Sequence, residues 1–361
     1  GTIENSKITK LYVFEGNQRK EVENAEAGDL IALSGFENVN IGDTIADAAN
    51  PVALPYVNID EPTLAMNFMV NNSPFAGREG KFVTTPKLRE RLFRETRTNV
   101  ALKIAQTSDP KVFAVSGRGE MQIAILVEQM RREGYEVLVS RPEVLWKKDQ
   151  DGNPLEPIEK LFVEVPNENL GGVMENLSFR KAQITNMNHV GQQVSVEALI
   201  PMRGLIGFET DLVNMTRGMG VMSHLFHEYG ADRGEIAARK NGSLVSMDAG
   251  EATTYALNMV QERGRLMIEP GQEVYEGQIV GIHAKENDLT LNALRAKQLT
   301  NFRAAGKDDN LMLTPAVKMS LEQALEFIED DELVEVTPLQ IRLRKKHLTE
   351  NDRKKASREA A

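Results

Sequence analysis

One stretch, residues 112–146, constrains the fold more than any other part of the sequence. Its first residues, rich in valine and phenylalanine, predict a short strand that ends at Gly117. The next apolar residues recur at helical spacing up to Gly134, which stands where a helix commonly ends in a residue of positive φ. Valines then alternate with polar residues, as in a strand with one buried face, until Pro142 ends the pattern. Taken alone, the pattern predicts a βαβ unit.

The size and composition of the chain are typical of a globular multidomain protein. It has 361 residues, of which 41% are hydrophobic and 27% charged, so we expect two to four domains with separate cores. No run approaches the roughly 20 apolar residues that a membrane helix needs, and no signal-peptide pattern opens the sequence. The lack of cysteine excludes disulfides, thiolate nucleophiles and thiolate zinc sites. We therefore expect a cytoplasmic protein without a membrane partner.

Positive charge is concentrated in two parts of an otherwise acidic chain. The net charge is −10, yet residues 285–307 carry five basic and two acidic residues, and residues 338–361 carry eight and three. The remainder therefore carries about −18. Clustered positive charge on an acidic protein is typical of a surface that contacts RNA. The plainer alternative is a solvated loop followed by a frayed tail.

The first 233 residues change character twice. Short strands between turn signals in residues 1–54 indicate a small β-barrel or sandwich, and prolines 51 and 55 indicate a stiff linker after it. Residues 55–148 and residues 154–233 each predict the order βαββαβ of a ferredoxin-like domain. A stretch rich in Asp, Gly, Asn and Pro, residues 149–157, predicts the boundary between the two.

The last part of the chain, residues 234–361, predicts a β-rich domain with a well-marked helix. Ser320 and Gln323 form a capping box, which predicts a helix that begins there and runs to about Ile328. Strands are predicted near residues 333–336 and 341–343. The fold class that follows is a multidomain α+β protein.

Several longer strings resemble one family of proteins. They are Ser116-Gly-Arg-Gly-Glu120, Met130-Arg-Arg-Glu-Gly-Tyr135, Ile200-Pro-Met-Arg-Gly-Leu-Ile-Gly-Phe208, Gly277-Gln-Ile-Val-Gly-Ile-His283 and His347-Leu-Thr-Glu-Asn-Asp-Arg353. The sequence is similar over its whole length to the ribosome-binding translational GTPases of the elongation factor G group, and most closely to their BipA (TypA) branch. Strings of this length are far more specific than a short motif.

The resemblance implies a domain order. Residues 1–54 correspond to the C-terminal part of the translation-factor β-barrel (domain II), residues 55–148 to a domain III-like ferredoxin fold, residues 154–233 to a domain V-like ferredoxin fold, and residues 234–361 to the BipA-specific C-terminal domain. It implies a fragment without the GTP-binding domain. It also implies a monomer that acts in translation, ribosome biogenesis, stress response and virulence regulation.

The sequence itself offers no catalytic chemistry. A P-loop and a guanine-reading Asn-Lys-x-Asp string are both absent, so we expect no enzyme activity from this chain and no cofactor in it; by the resemblance, GTP and Mg²⁺ belong to the missing N-terminal domain. His224 and His227 are three apart on a predicted strand and would point to opposite faces, which argues against a metal pair. The acidic run 329–332 is either a hard-cation site or a solvated helix end that faces the basic tail.

The basic residues of segment 285–307 are the predicted RNA contacts. Lysine and arginine neutralise phosphates, and Phe302 beside Arg303 offers a ring for stacking on an unpaired base. By the resemblance, the segment reaches large-subunit rRNA and the acceptor arm of the A-site tRNA, and the domain III-like region faces the small subunit. The candidates, in order of preference, are Lys297, Arg303, Arg295, Lys307 and Lys285. Arg203 is a weaker candidate, with a structural turn arginine as the equal alternative.

A rival hypothesis needs no RNA. Because the ferredoxin-like fold hosts many functions, two such domains can also serve as a small-ligand or protein-interaction scaffold without a ribosome role.

Overall fold

The small sheet at the start of the chain forms a compact unit of its own. The structure is a computed structural model of the protein, and it describes residues 3–36, 39, 41–55, 61–236, 239–296 and 312–360. Residues 1–60 with 94–100 form one compact unit, and residues 61–93 with 101–361 form the other. The first unit contains β1 (Lys10–Glu15), β2 (Gln18–Glu21) and β3 (Ile31–Ser34), which form an antiparallel sheet in the order β2-β1-β3. Apolar residues predicted β1 and β3, whereas β2 is entirely polar and gave no signal.

The second unit opens with strands and helices in the order βαββαβ. These elements are β4 (Leu64–Val70), α1 (Thr85–Glu95), β5 (Lys103–Gln106), β6 (Val112–Gly117), α2 (Glu120–Glu133) and β7 (Val137–Val139). The strands pair antiparallel in the order β7-β4-β6-β5, and the short β8 (Glu143–Val144) also pairs with β4. Helix α2 ends at Gly134, whose φ of 95° lies in the left-handed region, as the sequence predicts.

A second sheet follows with the same succession of strands and helices. Its elements are β9 (Lys147–Lys148), β10 (Pro154–Pro166), α3 (Leu170–Phe179), β11 (Gln183–Val190), β12 (Gln193–Pro201), α4 (Met202–Leu205), α5 (Phe208–Met215) and β13 (Val221–Ala231). The strand order is β11-β12-β10-β13, all antiparallel. Strand β10 begins inside the stretch 149–157, because the Asp149 side chain accepts backbone hydrogen bonds from Asp151 and Asn153 and closes a hairpin there. We call this sheet with α3, α4 and α5 the second layer.

A third sheet lies in the last part of the chain. Its region contains β14 (Ser243–Ser246), β15 (Gly250–Glu251), α6 (Thr254–Gln261), β16 (Gly264–Leu266), β17 (Glu273–Val274), β18 (Ile279–His283) and β19 (Leu289–Leu291). The sheet has the order β16-β18-β14-β19, in which β14 and β19 run parallel, and β15 pairs with β17 separately. Leu257 and Val260 of α6 pack into the apolar core below this sheet.

The chain ends with α7 (Leu321–Phe327), β20 (Glu332–Val336), β21 (Ile341–Lys345) and α8 (Glu350–Ala360). The predicted capping box is confirmed: the Gln323 backbone N–H donates to the Ser320 hydroxyl at 3.3 Å, and the Gln323 side chain accepts from the Ser320 backbone N–H at 3.0 Å. Only glycine fits at residue 277, because a Cβ there would lie 2.6 Å from the Leu348 Cα of the chain end.

The two late strands join the sheet of the first βαββαβ segment. Strand β20 pairs antiparallel with β7 through Val334 and Val139, and β21 pairs with β20 at the edge. The result is one sheet in the order β21-β20-β7-β4-β6-β5, and α1, α2 and α7 share its apolar core. We call this sheet with its three helices the composite layer. The four domain boundaries stay predictions, but residues of the predicted C-terminal domain complete the sheet that residues 64–139 begin.

A buried polar network crosses the composite layer. The carboxylate of Glu335, on β20, is fully buried and accepts hydrogen bonds from the Asn71 amide (3.0 Å), the Ser73 hydroxyl (2.9 Å) and Arg342 (3.2 Å). The Tyr275 hydroxyl donates to the same carboxylate. Early and late parts of the sequence therefore share one acceptor.

The described residues form a mixed α+β protein with several antiparallel sheets. Within those ranges, no helix has both the length and the apolar character that crossing a membrane requires.

Candidate functional site

Four of the six predicted RNA contacts, Arg295, Lys297, Arg303 and Lys307, belong to the connection between β19 and α7. Lys297, Arg303 and Lys307 fall outside the described residues, as does Phe302, so their roles stay predictions. Arg295, near the start of the connection, is exposed.

Helix α6 fixes both ends of this connection. At its N-terminal end the Thr253 hydroxyl donates to the Arg295 carbonyl oxygen at 2.7 Å and accepts from the Ala256 backbone N–H at 3.1 Å. At its C-terminal end the Gln261 side chain donates to the Met312 carbonyl oxygen at 3.1 Å and accepts from the Thr314 backbone N–H at 3.0 Å. An eight-residue helix is about 12 Å long, so the two anchors are held roughly that far apart.

Lys285 lies in the turn between β18 and β19, away from the α6 anchors. Its side chain is exposed, and its carbonyl oxygen accepts from the Gly242 backbone N–H at 2.8 Å. The turn borders an open groove of about 610 Å³, to which Lys240 also contributes. Glu286 lines the same groove, so the two ammonium groups give it an excess of one positive charge.

Arg203 is held by carboxylates of the second layer. Its guanidinium donates to Glu156 through Nε at 2.6 Å and Nη2 at 3.1 Å, and Nη2 also donates to Asp232 at 3.0 Å. Glu156 is fully buried, and Arg203 is 21% exposed. This bidentate geometry supports the structural alternative that the sequence left open. Without Arg203, the buried Glu156 carboxylate would lose its cationic partner and keep only a hydrogen bond from the Arg233 backbone N–H at 2.7 Å among the described residues.

The basic tail is not exposed throughout, which corrects the simple charge count. Arg342, Arg344 and Lys345 all lie on β21 and are at least 93% buried. Arg342 pairs with Glu335 and Glu79, and Arg344 donates to the Asn72 side chain at 2.7 Å. Strand alternation alone cannot bury all three side chains. They are buried because residues of the third-sheet region also cover β21: Gln278 forms a β-bridge with Arg344, and the Gly277 carbonyl oxygen accepts from the Lys345 backbone N–H at 2.8 Å.

The remaining tail cations lie at or beyond the end of β21, on and before helix α8. Thr349 begins α8, because its hydroxyl accepts from the Asp352 backbone N–H at 3.2 Å while donating to the Asp352 carboxylate at 2.7 Å. Lys346, Lys354, Lys355 and Arg358 are exposed. Lys354 also forms an i,i+4 ion pair with Glu350 at 2.6 Å. The tail therefore offers fewer exposed cations than its composition implies.

Sequence reasoning missed a buried ion cluster centred on Glu332. Arg239 donates to both its carboxylate oxygens at 3.0 Å, and the Lys345 ammonium lies 3.0 Å from it and 2.9 Å from Asp331. Burial would raise the pKa of Glu332, but the hydrogen bond from Arg239 and the charge of Lys345 reverse this and lower it to about 2. The acidic run 329–332 was the available signal. It faces the basic tail as expected, but its last residue, Glu332, is buried and not solvated.

The remaining candidates for metal or acid–base chemistry are engaged elsewhere. His224 lies 3.2 Å from the buried Glu159 carboxylate. In the described ranges, no group of three or more His, Cys, Asp or Glu side chains is placed to hold a metal ion. Among the described residues, the arrangement is one of charged surfaces on packed sheets and helices, which can bind a charged partner.

Comparison with known proteins identifies two segments of the chain. A family profile described as the TypA/BipA C-terminal domain matches residues 241–350, and one described as the elongation factor G C-terminus matches residues 153–240. A protein of Salmonella typhimurium strain LT2, named "Large ribosomal subunit assembly factor BipA", is 49% identical over 99% of this chain. The chain belongs to the TypA/BipA family.

The BipA relatives are longer than this chain. The match covers 59% of the Salmonella protein, and a Haemophilus influenzae protein of the same name is 51% identical over 99% of this chain and 58% of its own length. A crystal structure of a protein from Thermus thermophilus shares 17% identity and a TM-score of 0.37 over 64% of this chain and 51% of that one, a likeness too low to support any inference.

Proposed function

We propose that this chain is the ribosome-binding part of a BipA-type translational GTPase, and that segment 285–307 contacts large-subunit rRNA and the A-site tRNA. The observation that carries the proposal is the 49% identity, over 99% of this chain, to a protein named as a large ribosomal subunit assembly factor. The expected contacts are Lys297 and Arg303 first, with Arg295, Lys307 and Lys285 behind them.

The described residues of the segment support this role. Arg295 and Lys285 are exposed, and within the described part of the chain neither forms an ion pair with a carboxylate. The α6 anchors hold Arg295 and Met312, on either side of the two preferred contacts in the sequence, to one helix. Ordered anchors lower the entropy that a binding segment loses when it engages RNA.

The wider interpretation of the chain follows the family. We interpret the two βαββαβ segments, residues 55–148 and 154–233, as ferredoxin-like domains, the first of which faces the small subunit. Residues 1–54 are then the end of a translation-factor barrel and residues 234–361 the BipA-specific domain. The whole protein would act in the cytoplasm as a GTPase, with GTP and Mg²⁺ in its nucleotide-binding domain and the nucleotide state setting ribosome affinity.

Removing two of the proposed phosphate contacts should weaken ribosome binding measurably. We expect the double variant Lys297→Ala, Arg303→Ala to bind large subunits on the order of tenfold more weakly, and its salt dependence to fall by about two counterions. Cosedimentation with intact ribosomes and with isolated large subunits, at about 50 and about 200 mM salt, measures both quantities.

The control removes the same charge elsewhere. Lys7 and Arg19 are exposed in the first compact unit, and the variant Lys7→Ala, Arg19→Ala should bind like the parent chain. Equal losses in the two double variants would show that only net charge matters, which would contradict the assignment of the segment. Failure of the parent chain to sediment with ribosomes at low salt would favour the scaffold hypothesis over ribosome binding.

A further inference from the structure

Four glutamates surround a cavity where the composite layer meets the second layer. The cavity has a volume of about 260 Å³ and lies between α2 and α7 of the composite layer and α5 of the second layer. Glu120 comes from α2, Glu209 from α5, and Glu322 and Glu326 from α7. Among the described residues that line it there is no lysine, arginine or histidine. Like charges gathered at such a junction repel one another unless some are protonated.

The carboxyl group of Glu120 is poorly compensated in this position. One of its oxygens is buried without a hydrogen-bond partner in the described residues, and the group accepts a single backbone hydrogen bond, from Gly207. Burial, together with the charges of Glu326 and Glu209, raises its pKa to about 7. Burial also raises the pKa of Glu326, although its carboxylate accepts from the Thr210 hydroxyl at 3.1 Å.

The charged groups behind the cavity do not neutralise it. Asp211, on α5, adds a further negative charge, and Arg180, at the end of α3, donates to Asp211 at 2.7 Å. His224, on β13, lies against Glu159 at 3.2 Å. Arg180 and His224 are therefore each opposite a carboxylate that does not line the cavity. Their charges act to lower the pKa of Glu326 and Glu120, respectively, but burial and the neighbouring glutamates outweigh them.

We propose that this glutamate cavity is a protonation-controlled latch between the two layers. When Glu120 and Glu326 are uncharged, α5 closes on α2 and α7; when both are ionised, their repulsion loosens that contact. The latch sets the angle between the second layer and the composite layer, and it does not depend on the ribosome-binding role.

The direction of the pH dependence follows from linkage. In the closed arrangement Glu120 holds its proton up to about pH 7, whereas a solvated glutamate in the open arrangement loses it near its ordinary pKa of 4.5. Closing therefore takes up a proton between those values. The closing equilibrium should rise by at most about tenfold for each unit that the pH falls from about 7 toward about 4.5, and it should stay constant above that range.

A distance measurement across the junction tests the latch. Since the chain has no cysteine, Gln129→Cys on α2 and Asn188→Cys on β11 give two exposed labelling sites, one on each layer. The distance between spin labels at these sites is measured by pulsed electron–electron double resonance, at fixed ionic strength from about pH 8.5 to about pH 5.5. The distance distribution should narrow as the pH falls below about 7. In Glu120→Gln the distribution should be narrow at every pH.

Two further variants make the outcome decisive. Glu326→Gln removes one of the charges that repel Glu120, so the narrowing of the distance distribution should remain but occur at lower pH. This variant replaces Glu120→Gln as the test if circular dichroism shows that Glu120→Gln is misfolded. Glu168→Gln, at an exposed glutamate of the second layer, should behave as the parent. A distribution that is independent of pH in the parent, or an unchanged transition in a folded Glu120→Gln or Glu326→Gln variant, would overturn the proposal.

Discussion

Glu335→Ala is expected to lower the free energy of unfolding of the second compact unit by about 3–5 kcal/mol, because it breaks a buried ion pair. Glu335 is fully buried and accepts hydrogen bonds from Asn71, Ser73 and Arg342. Alanine would leave three neutral donors, the Asn71 amide and the Ser73 and Tyr275 hydroxyls, without that acceptor. It would also leave Arg342, which is 93% buried, with Glu79 as its remaining carboxylate partner in the described structure.

Urea unfolding followed by far-UV circular dichroism measures the loss. The matched control is Glu175→Ala, which removes an exposed carboxylate on α3 and should change stability by no more than about 0.5 kcal/mol.

Hydrogen exchange on Glu335→Ala tests whether the composite layer unfolds as one unit. Since Glu335 joins β20 to the loop after β4, backbone amides in both the early and the late strands of the composite sheet should lose protection together. Loss confined to β20 and β21, with β4 unaffected, would contradict a single cooperative layer.

Local elements were predictable wherever their signals lie within a few residues. The capping box at Ser320 was visible because N-capping needs a hydroxyl and an amide three positions apart, and Gly134 marked the end of α2 for the same kind of reason. Apolar alternation located both βαββαβ segments. These patterns are local consequences of helix and strand geometry, so one sequence is enough to find them.

Long-range pairing was not predictable from the same patterns. Strand β20 carries valines that fit a buried strand, but nothing in its sequence names β7, almost 200 residues earlier, as its partner. The expected exposure of two basic residues was therefore wrong. Arg342 and Lys345 were counted as part of an exposed tail, but β20 pairs with β7, and this pairing brings β21 against buried carboxylates. Charge counts along a sequence do not distinguish a solvated cation from one buried beside a glutamate.

The candidate site was predictable in part. The sequence marked Lys285 and Arg295 as basic residues in a weakly patterned stretch, and both are exposed. The sequence could not show that Thr253 and Gln261 attach the connection between β19 and α7 to helix α6. This attachment uses hydrogen bonds from side chains to backbone atoms more than 40 residues away.

Lys345→Met should lower the free energy of unfolding by about 3–5 kcal/mol at neutral pH, the second large effect we expect. The Lys345 ammonium is 98% buried and lies 2.9 Å from Asp331 and 3.0 Å from Glu332, and it also pairs with Asp288. Methionine keeps much of the volume but removes the charge these three carboxylates share. Although burial lowers the pKa of Lys345, the carboxylates outweigh it and raise the pKa, so this stabilisation is complete at neutral pH and is lost only in strong alkali.

Acid should reduce the difference between the parent and Lys345→Met. Because the folded-state pKa of Glu332 is lowered from 4.5 to about 2, its contribution to stability is present above pH 4.5 and is lost as the pH falls toward 2. In the variant Glu332 keeps Arg239 and the hydrogen bonds from the Ser243 hydroxyl and the Glu329 backbone N–H but loses the charge of Lys345. Its pKa should therefore be higher, and less stability remains to be lost in acid. Urea midpoints of the two proteins, measured at about pH 7 and about pH 3, should therefore lie closer together at the lower value. The control Lys354→Met breaks an exposed ion pair on α8 and should destabilise the protein far less than Lys345→Met at either pH. If Lys345→Met lowers the free energy of unfolding equally at about pH 7 and about pH 3, packing and not charge pairing holds β21 in place.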